Sequence, residues 1–239
     1  MELTVEDLRR ESYRTPVARL HFDILMWKFS PPTYEDWAEV VESALHFEIG
    51  LITSRRHDFH DLDEDALSAV LNISLQNLNL EASAKFVNGN TDITIEYNSY
   101  KWIGEAKFGN DVSKIYKGYL QLTTRYATGI TGQTKGGMLI YCSHGSARTA
   151  LAGWQAALSE QVPNCNAMQG KVDLTFTSED ICEATGATLQ IIHIAVPLYH
   201  GPMEAQKKLS AKAINAAREA RKNVANSEDD ATADNDEDQ

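Results

Sequence analysis

The stretch of sequence that decides the expected fold reads Asp92-Ile-Thr-Ile-Glu-Tyr-Asn-Ser-Tyr-Lys-Trp-Ile-Gly-Glu105-Ala106-Lys107. Apolar and polar residues alternate on both sides of Asn98-Ser99, a pattern typical of two antiparallel strands joined by a two-residue turn. With that turn, Glu96 faces Lys101 as an opposite-charge cross-strand pair. The same register places Asp92 opposite Glu105 on one face of the sheet.

Two carboxylates that face each other across a sheet repel unless a cation lies between them. Mg²⁺ prefers hard oxygen ligands and usually takes one or two carboxylates, which leaves positions for water and phosphate. We therefore expect Asp92, Glu105 and the carbonyl of Ala106 to bind Mg²⁺, with Mn²⁺ able to substitute. Lys107 points the same way, and can orient an attacking water or offset charge on a scissile phosphate. An amphipathic meander with surface salt pairs is the alternative.

Basic residues are expected around these acids. Asn88-Gly89 predicts a preceding hairpin whose register puts Lys85 opposite Asp92. A helix predicted over about 112–127 carries a polar stripe at a spacing of 3.6 residues. Its members are Lys114, Lys117, Gln121 and Arg125. We interpret the stripe as a phosphate-tracking face, and an ordinary solvated helix face is the alternative.

Composition bounds the class of protein. The chain has 239 residues, of which 43% are hydrophobic, and this suits one domain with a sizeable core. It has no long apolar run, so no membrane span is expected, and its start lacks the features of a signal peptide. The three cysteines are scattered, which suggests free thiols and a cytoplasmic location.

The net charge of −12 is unusual for a protein that binds nucleic acid. Residues 227–239 contain seven acids and no base, and without them the balance is 22 basic against 27 acidic residues. We therefore predict a single domain over residues 1–225 and a disordered acidic tail over residues 226–239.

Periodicity predicts the order of elements around the hairpin. Thr33-Tyr-Glu-Asp36 resembles a capping box and opens a helix to about Gly50. A polar loop over 54–61 carries His57 and His60, whose spacing fits no established zinc pattern. Further helices are predicted over 63–78, around residues 151–158 and over 203–224, and strands over 80–87, 91–97, 101–107, 138–142, 171–177 and 188–196. His193, which alternates among core residues, is expected to be a hydrogen-bonded structural histidine.

From residue 63 to residue 143 this order is αβββαβ. Together with Asp92 and Glu105-Ala106-Lys107, it resembles the PD-(D/E)XK phosphodiesterase superfamily, which includes restriction endonucleases and RecB-type nucleases. The resemblance implies an α/β fold with a restriction-endonuclease-like αβββαβ core. In such a fold a mixed central sheet is flanked by helices, here with extra N-terminal helices and a C-terminal helix.

The same resemblance implies further site residues. RecB-like members carry Gln-Leu-x-x-Tyr on the next helix, and this chain has Gln121-Leu-Thr-Thr-Arg-Tyr126, with one extra residue before the tyrosine. Members often have another acid on the first core helix. Of the three acids at 63–65, Glu64 lies on the inward stripe with Leu67 and Leu71, so we select it. All three acids could instead favour the helix N-terminus through its dipole.

The function implied is a Mg²⁺-dependent nuclease acting on nucleic acid, DNA before RNA, in bacterial defence against phage or foreign DNA. Two alternatives stay open. One is a non-catalytic module on the same fold that binds a protein partner or nucleic acid. The other is a nuclease that is silent until a partner activates it. The sequence also leaves the oligomeric state open, a homo-oligomer included.

Overall fold

A computed structural model describes residues 4–84, 91–202, 210 and 212–220. The chain divides into two compact units, Met1–His200 and Gly201–Gln239. In the second unit, residues 212–220 are helical. The predicted tail over 226–239, most of the predicted helix over 203–224, and Lys85 lie outside the described residues.

The first unit is an α/β structure. Its helices are α1 (Val5–Ser12), α2 (Pro16–Met26), α3 (Tyr34–Ser54), α4 (Arg56–Phe59), α5 (Glu64–Asn77), α6 (Val112–Leu120) and α7 (Ala147–Gln161), with a π-helical turn at Gln121–Tyr126. Its strands are β1 (Glu81–Ser83), β2 (Ile93–Tyr97), β3 (Tyr100–Phe108), β4 (Lys135–Cys142), β5 (Met168–Gln169), β6 (Thr175–Ile181) and β7 (Thr188–Pro197). From the described residues, no helix is long and apolar enough to cross a membrane.

The seven strands form one mixed sheet in the order β1-β2-β3-β4-β7-β6-β5. Strand β4 is parallel to both β3 and β7, and the outer pairs are antiparallel. One face packs against helices α2, α3 and α5, and the other against α6, α7 and the π-helical turn. A buried apolar layer therefore lies on each side of the sheet, as expected where parallel strands are covered by helices.

The predicted hairpin register is confirmed. Tyr97 pairs with Tyr100, Glu96 with Lys101, and Thr94 with Ile103. Ile93, Ile95, Trp102 and Ala106 join the core on the α3 side, while Ile103 joins the core on the α6 side. Strand β2 begins at Ile93, so Asp92 stands just before the ladder.

Two paired glycines explain where the large Trp102 side chain lies. Gly104 and Gly137 are direct partners across β3 and β4. A methyl group on Gly104 would lie 2.8 Å from the Trp102 ring, and one on Gly137 would lie 2.6 Å from it. Strand β4 begins at Lys135 and includes Gly136 and Gly137, whereas the sequence predicted that the strand would begin after these two glycines.

Several element boundaries differ from the predictions. Thr33 caps α3 by accepting from the Asp36 N–H, as predicted, but α3 runs on to Ser54. The predicted polar loop contains the helical turn α4. The strand predicted at 171–177 is wrong in position, because Leu174 has a φ of 59° and the strand begins only after it. A left-handed backbone at a leucine interrupts extended structure, and hydrophobicity does not reveal it.

His193 is a hydrogen-bonded core residue, as predicted. Its ring is fully buried and stacks on Phe176, with ring centroids 4.1 Å apart. The Trp154 indole N–H can only donate, and it lies 2.9 Å from His193 Nδ1. The ring proton is therefore on Nε2, which lies 2.8 Å from the Ser178 hydroxyl. Burial lowers the pKa of His193 to about 3, so the ring is held neutral.

Candidate active site

Four predicted site residues from three elements meet at one place. Glu64 is the first residue of α5, Asp92 precedes β2, and Glu105 and Lys107 lie on β3. Asp63 caps α5 by accepting from the Ala66 N–H, so it faces the helix end, and Asp65 is exposed. Of the three adjacent acids, Glu64 is the one whose carboxylate reaches Lys107.

The ammonium of Lys107 is the centre of this cluster. Its Nζ atom lies 2.8 Å from Glu105 Oε1, 3.7 Å from Asp92 Oδ2 and 3.9 Å from Glu64 Oε2. It also donates to the carbonyl of Ala106 at 2.6 Å. The three groups expected to bind a metal ion, together with the Glu64 carboxylate, therefore surround one cation, which the chain itself supplies.

Burial shifts the pKa of each carboxyl upward. It is the largest cause for Glu105, whose pKa rises to about 7, and the charge of Asp92 adds to it while Lys107 opposes it. Burial likewise raises the pKa of Asp92 and of Glu64. Burial alone would lower the pKa of Lys107, but its hydrogen bond to Glu105 and the three negative charges raise it. The lysine is therefore protonated, and the acids have more negative charge than one ammonium offsets.

Asp92 is held from two sides. Its Oδ2 accepts from the Ala106 N–H at 2.7 Å, which fixes the carboxylate against β3. Its carbonyl accepts from Asn72 Nδ2 at 2.8 Å, and the same amide group donates to the Ser68 carbonyl. The Ser68 hydroxyl lies 3.2 Å from the Tyr141 hydroxyl. A buried polar network thus supports the acid from behind.

The sequence interpretation missed Ser68 and Asn72. Both lie on α5 and both are buried, one turn apart, beside Leu67, Leu71 and Leu75. A signal existed, since polar residues four apart on the apolar stripe of a helix need hydrogen-bond partners when buried. The tertiary partner of each could not be read from the helix pattern.

Gly118 was also missed. It is buried on α6, and a methyl group there would lie 3.0 Å from Lys107 Cγ and 3.2 Å from Glu105 Cγ. The helix backbone therefore lies directly on the two side chains. A glycine inside a helix lowers the stability of that helix by about 1 kcal/mol relative to alanine. A glycine within a predicted helix therefore indicates a position where close packing requires it.

Comparisons with family models, curated proteins and solved structures found no match to this chain.

The predicted helix over 112–127 is not one α-helix. It changes to a π-helical turn at Gln121–Tyr126, where the Ala127 N–H donates to the Leu122 carbonyl, five residues back. A π turn accommodates one residue more than an α turn. The extra residue between Gln121 and Tyr126 is absorbed there, so Tyr126 stays buried on the α6-side core. Gln121 is half-buried, one turn beyond Gly118.

The basic residues predicted to bind phosphate do not form one continuous surface stripe. Lys114, Lys117 and Arg125 are all exposed. The charge of Lys114 contributes a small lowering to the pKa of Glu64. The π-helical turn breaks the 3.6-residue period before Arg125, so the four polar residues do not form the uniform stripe that was predicted.

The acid cluster fits a cation with oxygen ligands. Glu64 Oε2 and Glu105 Oε2 are buried and form no hydrogen bond within the described part of the chain. Within those same residues, no three His, Cys, Asp or Glu side chains already stand in metal-binding geometry. Lys107 Nζ lies within 4 Å of oxygens from all three acids, so an incoming ion has to displace it. A cavity of 790 Å³ between α2 and α3 contains none of these residues.

Proposed function

We propose that this chain is a metal-dependent nuclease that hydrolyses phosphodiester bonds in nucleic acid, with DNA as the substrate. The observation that carries the proposal is the convergence of three carboxylates and the Ala106 carbonyl on one cation position beside a protonated lysine. Three acids around one ammonium carry negative charge that a divalent ion with oxygen ligands can offset.

The order of elements supports a restriction-endonuclease-like core. Helix α5 is followed by β1, β2 and β3, then by α6 and β4. The parallel pairing of β3 with β4 keeps the acid-bearing strand inside the sheet, not at its edge. At Glu105 and Lys107 the strand pairs with β4 on one side, and on the other side the Ala106 N–H donates to the Asp92 carboxylate. These contacts hold the two side chains in place, as a catalytic constellation requires.

Asp92, Glu105 and the Ala106 carbonyl would hold Mg²⁺ or Mn²⁺, with Glu64 on the remaining side. When bound, such an ion supplies Lewis-acid stabilisation of the charge that grows on the phosphate. In the cluster without metal, the hydrogen bond to Glu105 and the surrounding acids raise the pKa of Lys107, so its ammonium is protonated. In this proposal it donates a hydrogen bond to the attacking water or to the phosphate. Gln121 is the candidate to orient substrate.

The exposed lysines of α6 supply the phosphate contacts in this proposal. The charge of Lys114 acts on Glu64, whose pKa it lowers, and Lys117 is one turn along the same helix. Arg125 extends the basic surface into the π-helical turn. Lys85, by the predicted register of the preceding hairpin, would border the acids. Contacts of this kind position nucleic acid without reading its sequence. A role in defence against foreign DNA rests on the resemblance alone.

The test is cleavage of single- and double-stranded DNA and RNA by the purified chain, with Mg²⁺, Mn²⁺ or EDTA. Asp92→Ala, Glu105→Ala and Lys107→Ala should each abolish cleavage while the far-UV circular dichroism spectrum stays that of the wild type. If those variants cut as well as the wild type, the proposed site is wrong.

A non-catalytic binding module is the second candidate. It is favoured by the ion pairs that Lys107 already forms, because a closed cluster of this kind can stabilise a fold without metal. Calorimetry with Mg²⁺ separates the two candidates, since a binding module has no need to take up the ion. A nuclease that requires an activating partner would bind Mg²⁺ and yet show no cleavage alone.

A further inference from the structure

Three histidines that are far apart in the sequence converge beside α4. His57 lies within this helical turn and His60 caps its C-terminal end. His200 comes from the other end of the unit, just beyond β7. Its ring centroid lies 6.0 Å from that of His57 and 5.4 Å from that of His60. The folded chain therefore adds a third imidazole to a pair that looked unremarkable in the sequence.

Two of these rings are already oriented by hydrogen bonds. His60 Nδ1 lies 3.1 Å from the carbonyl oxygen of His57, and His57 Nε2 lies 3.0 Å from Asp58 Oδ1. A ring nitrogen that donates to a carbonyl or carboxylate leaves the other nitrogen with a free lone pair. Metal-binding histidines are held in this way by their outer partners. His57 Nδ1 and His60 Nε2 are therefore the expected ligand atoms.

The spacing of the rings suits a shared ion. With Zn–N bonds of 2.0–2.1 Å and tetrahedral angles, two ligating imidazoles have centroids about 5 Å apart. The observed separations of 5.4 and 6.0 Å exceed this by 1 Å or less. As the side chains stand, no group of three or more His, Cys, Asp or Glu among the described residues could hold a metal ion, so the proposed site forms only if the rings turn. The side chains of His57 and His60 are 58% and 30% exposed, which leaves them room to do so.

We propose that His57, His60 and His200 bind a transition-metal dication of the Zn²⁺ class at a site distinct from the acid cluster. Imidazole nitrogens suit Zn²⁺, Co²⁺ and Ni²⁺, whereas Mg²⁺ prefers oxygen ligands. Water or the carboxylate of Asp61, which lies 3.4 Å from His60 Nε2, completes a tetrahedron. The ion ties the segment after β7 to α4, and it stabilises the folded state by mass action.

The experiment is a titration of the tag-free full chain with Co²⁺ and Zn²⁺, followed by Co²⁺ absorption and by calorimetry. The wild type should bind one equivalent that gives nitrogen-ligand absorption bands and no thiolate charge-transfer band. A further equivalent that Glu105→Gln removes belongs to the acid cluster. His200→Ala and His57→Ala should each weaken binding roughly tenfold or more. The matched control is His21→Ala, which removes an exposed histidine from α2 and should leave the affinity unchanged. The exposed position of His57 makes its variant the safer of the two for folding.

Glu105→Gln separates this proposal from the proposed nuclease site. It disables the acid cluster and should leave Zn²⁺ affinity at the wild-type value. The proposal is overturned if the wild type takes up no Zn²⁺, if His57→Ala binds it as tightly as the wild type, or if Glu105→Gln abolishes binding. Neither the first nor the second of these results bears on whether the chain cleaves DNA.

Discussion

Lys107 Nζ lies 2.8 Å from Glu105 Oε1, two residues away on the same strand. The strand that supplies the most strongly perturbed acid thus also supplies its counter-ion. This pairing partly neutralises the acids when no metal is bound. It also means that a divalent ion and the ammonium compete for the same oxygens.

Removing the lysine should make the protein depend on a divalent ion for its stability. Lys107→Met leaves three partly buried carboxylates without a counter-ion, so the free energy of unfolding in EDTA should fall by about 2 kcal/mol. Mg²⁺ should restore it and should bind at least as tightly as to the wild type, although cleavage is lost. Thermal unfolding with EDTA or Mg²⁺ measures this. The matched control is Lys101→Met. Lys101 lies on the same strand as Lys107, and the substitution breaks its cross-strand ion pair with Glu96. An equal response to Mg²⁺ in the control would contradict the interpretation.

The raised pKa of Glu105 predicts how stability depends on pH. Its folded-state pKa is about 7, above the ordinary 4.5, so the folded state holds the proton more tightly than the unfolded state. The free energy of unfolding should therefore fall as pH rises from about 4.5 to 7, by up to about 1.4 kcal/mol per pH unit. Glu105→Gln should remove this slope.

The measurement is urea denaturation of wild type and variant at pH values from 5 to 8, compared as a difference. The comparison with the variant is needed because His193 makes the free energy of unfolding rise with pH, opposite to the effect of Glu105. Its pKa is lowered to about 3, so its contribution to stability is lost as pH falls from about 6.5. Glu160→Gln, which removes an exposed carboxyl from α7, is the control. If Glu105→Gln keeps the wild-type slope, Glu105 is not the group that titrates.

A methyl group at Gly118 should impair cleavage far more than folding. It would lie 3.0 Å from Lys107 Cγ, so that side chain has to move by a few tenths of an ångström. Small displacements of catalytic groups are costly, and Gly118→Ala should reduce the rate of cleavage roughly tenfold or more. Gly153→Ala on α7 is the matched control, since nothing lies within 4 Å of its added carbon. It should gain up to about 1 kcal/mol of stability and keep full activity. Equal rates for the two variants would exclude a packing role for Gly118.

Deleting one residue from the π-helical turn should be tolerated. Thr124 is exposed there, and its hydroxyl bonds back to the Leu120 carbonyl. Its removal restores the Gln-Leu-x-x-Tyr spacing and lets the segment continue as α-helix. The variant should remain folded by circular dichroism, with its thermal transition cooperative. Deleting Gly153 from the regular helix α7 should instead rotate buried Trp154 and Leu158 off the core and unfold the protein. The expectation fails if the Thr124 deletion also unfolds it.

Local pattern was sufficient for the hairpin and for the choice of Glu64. Alternation set the register from Tyr97 and Tyr100 outward, and the inward stripe of α5 selected one acid out of three. Both inferences rest on periodicities of the backbone, which short segments carry within themselves.

Features that depend on distant residues were missed. Asn72 looked like one polar residue in an apolar helix, but its partner is the carbonyl of Asp92, twenty residues away. His200 meets His57 and His60 only after the whole sheet is built. The left-handed backbone at Leu174 likewise has no marker in the sequence, because leucine rarely adopts that conformation.

Trp102 lies across Gly104 and Gly137, which face each other on neighbouring strands. A larger residue at either glycine has no space until the indole becomes smaller, and a smaller residue at 102 leaves a void that both glycines border. In diverging relatives these three positions should consequently change in concert, so that together they trace descent better than any one of them alone.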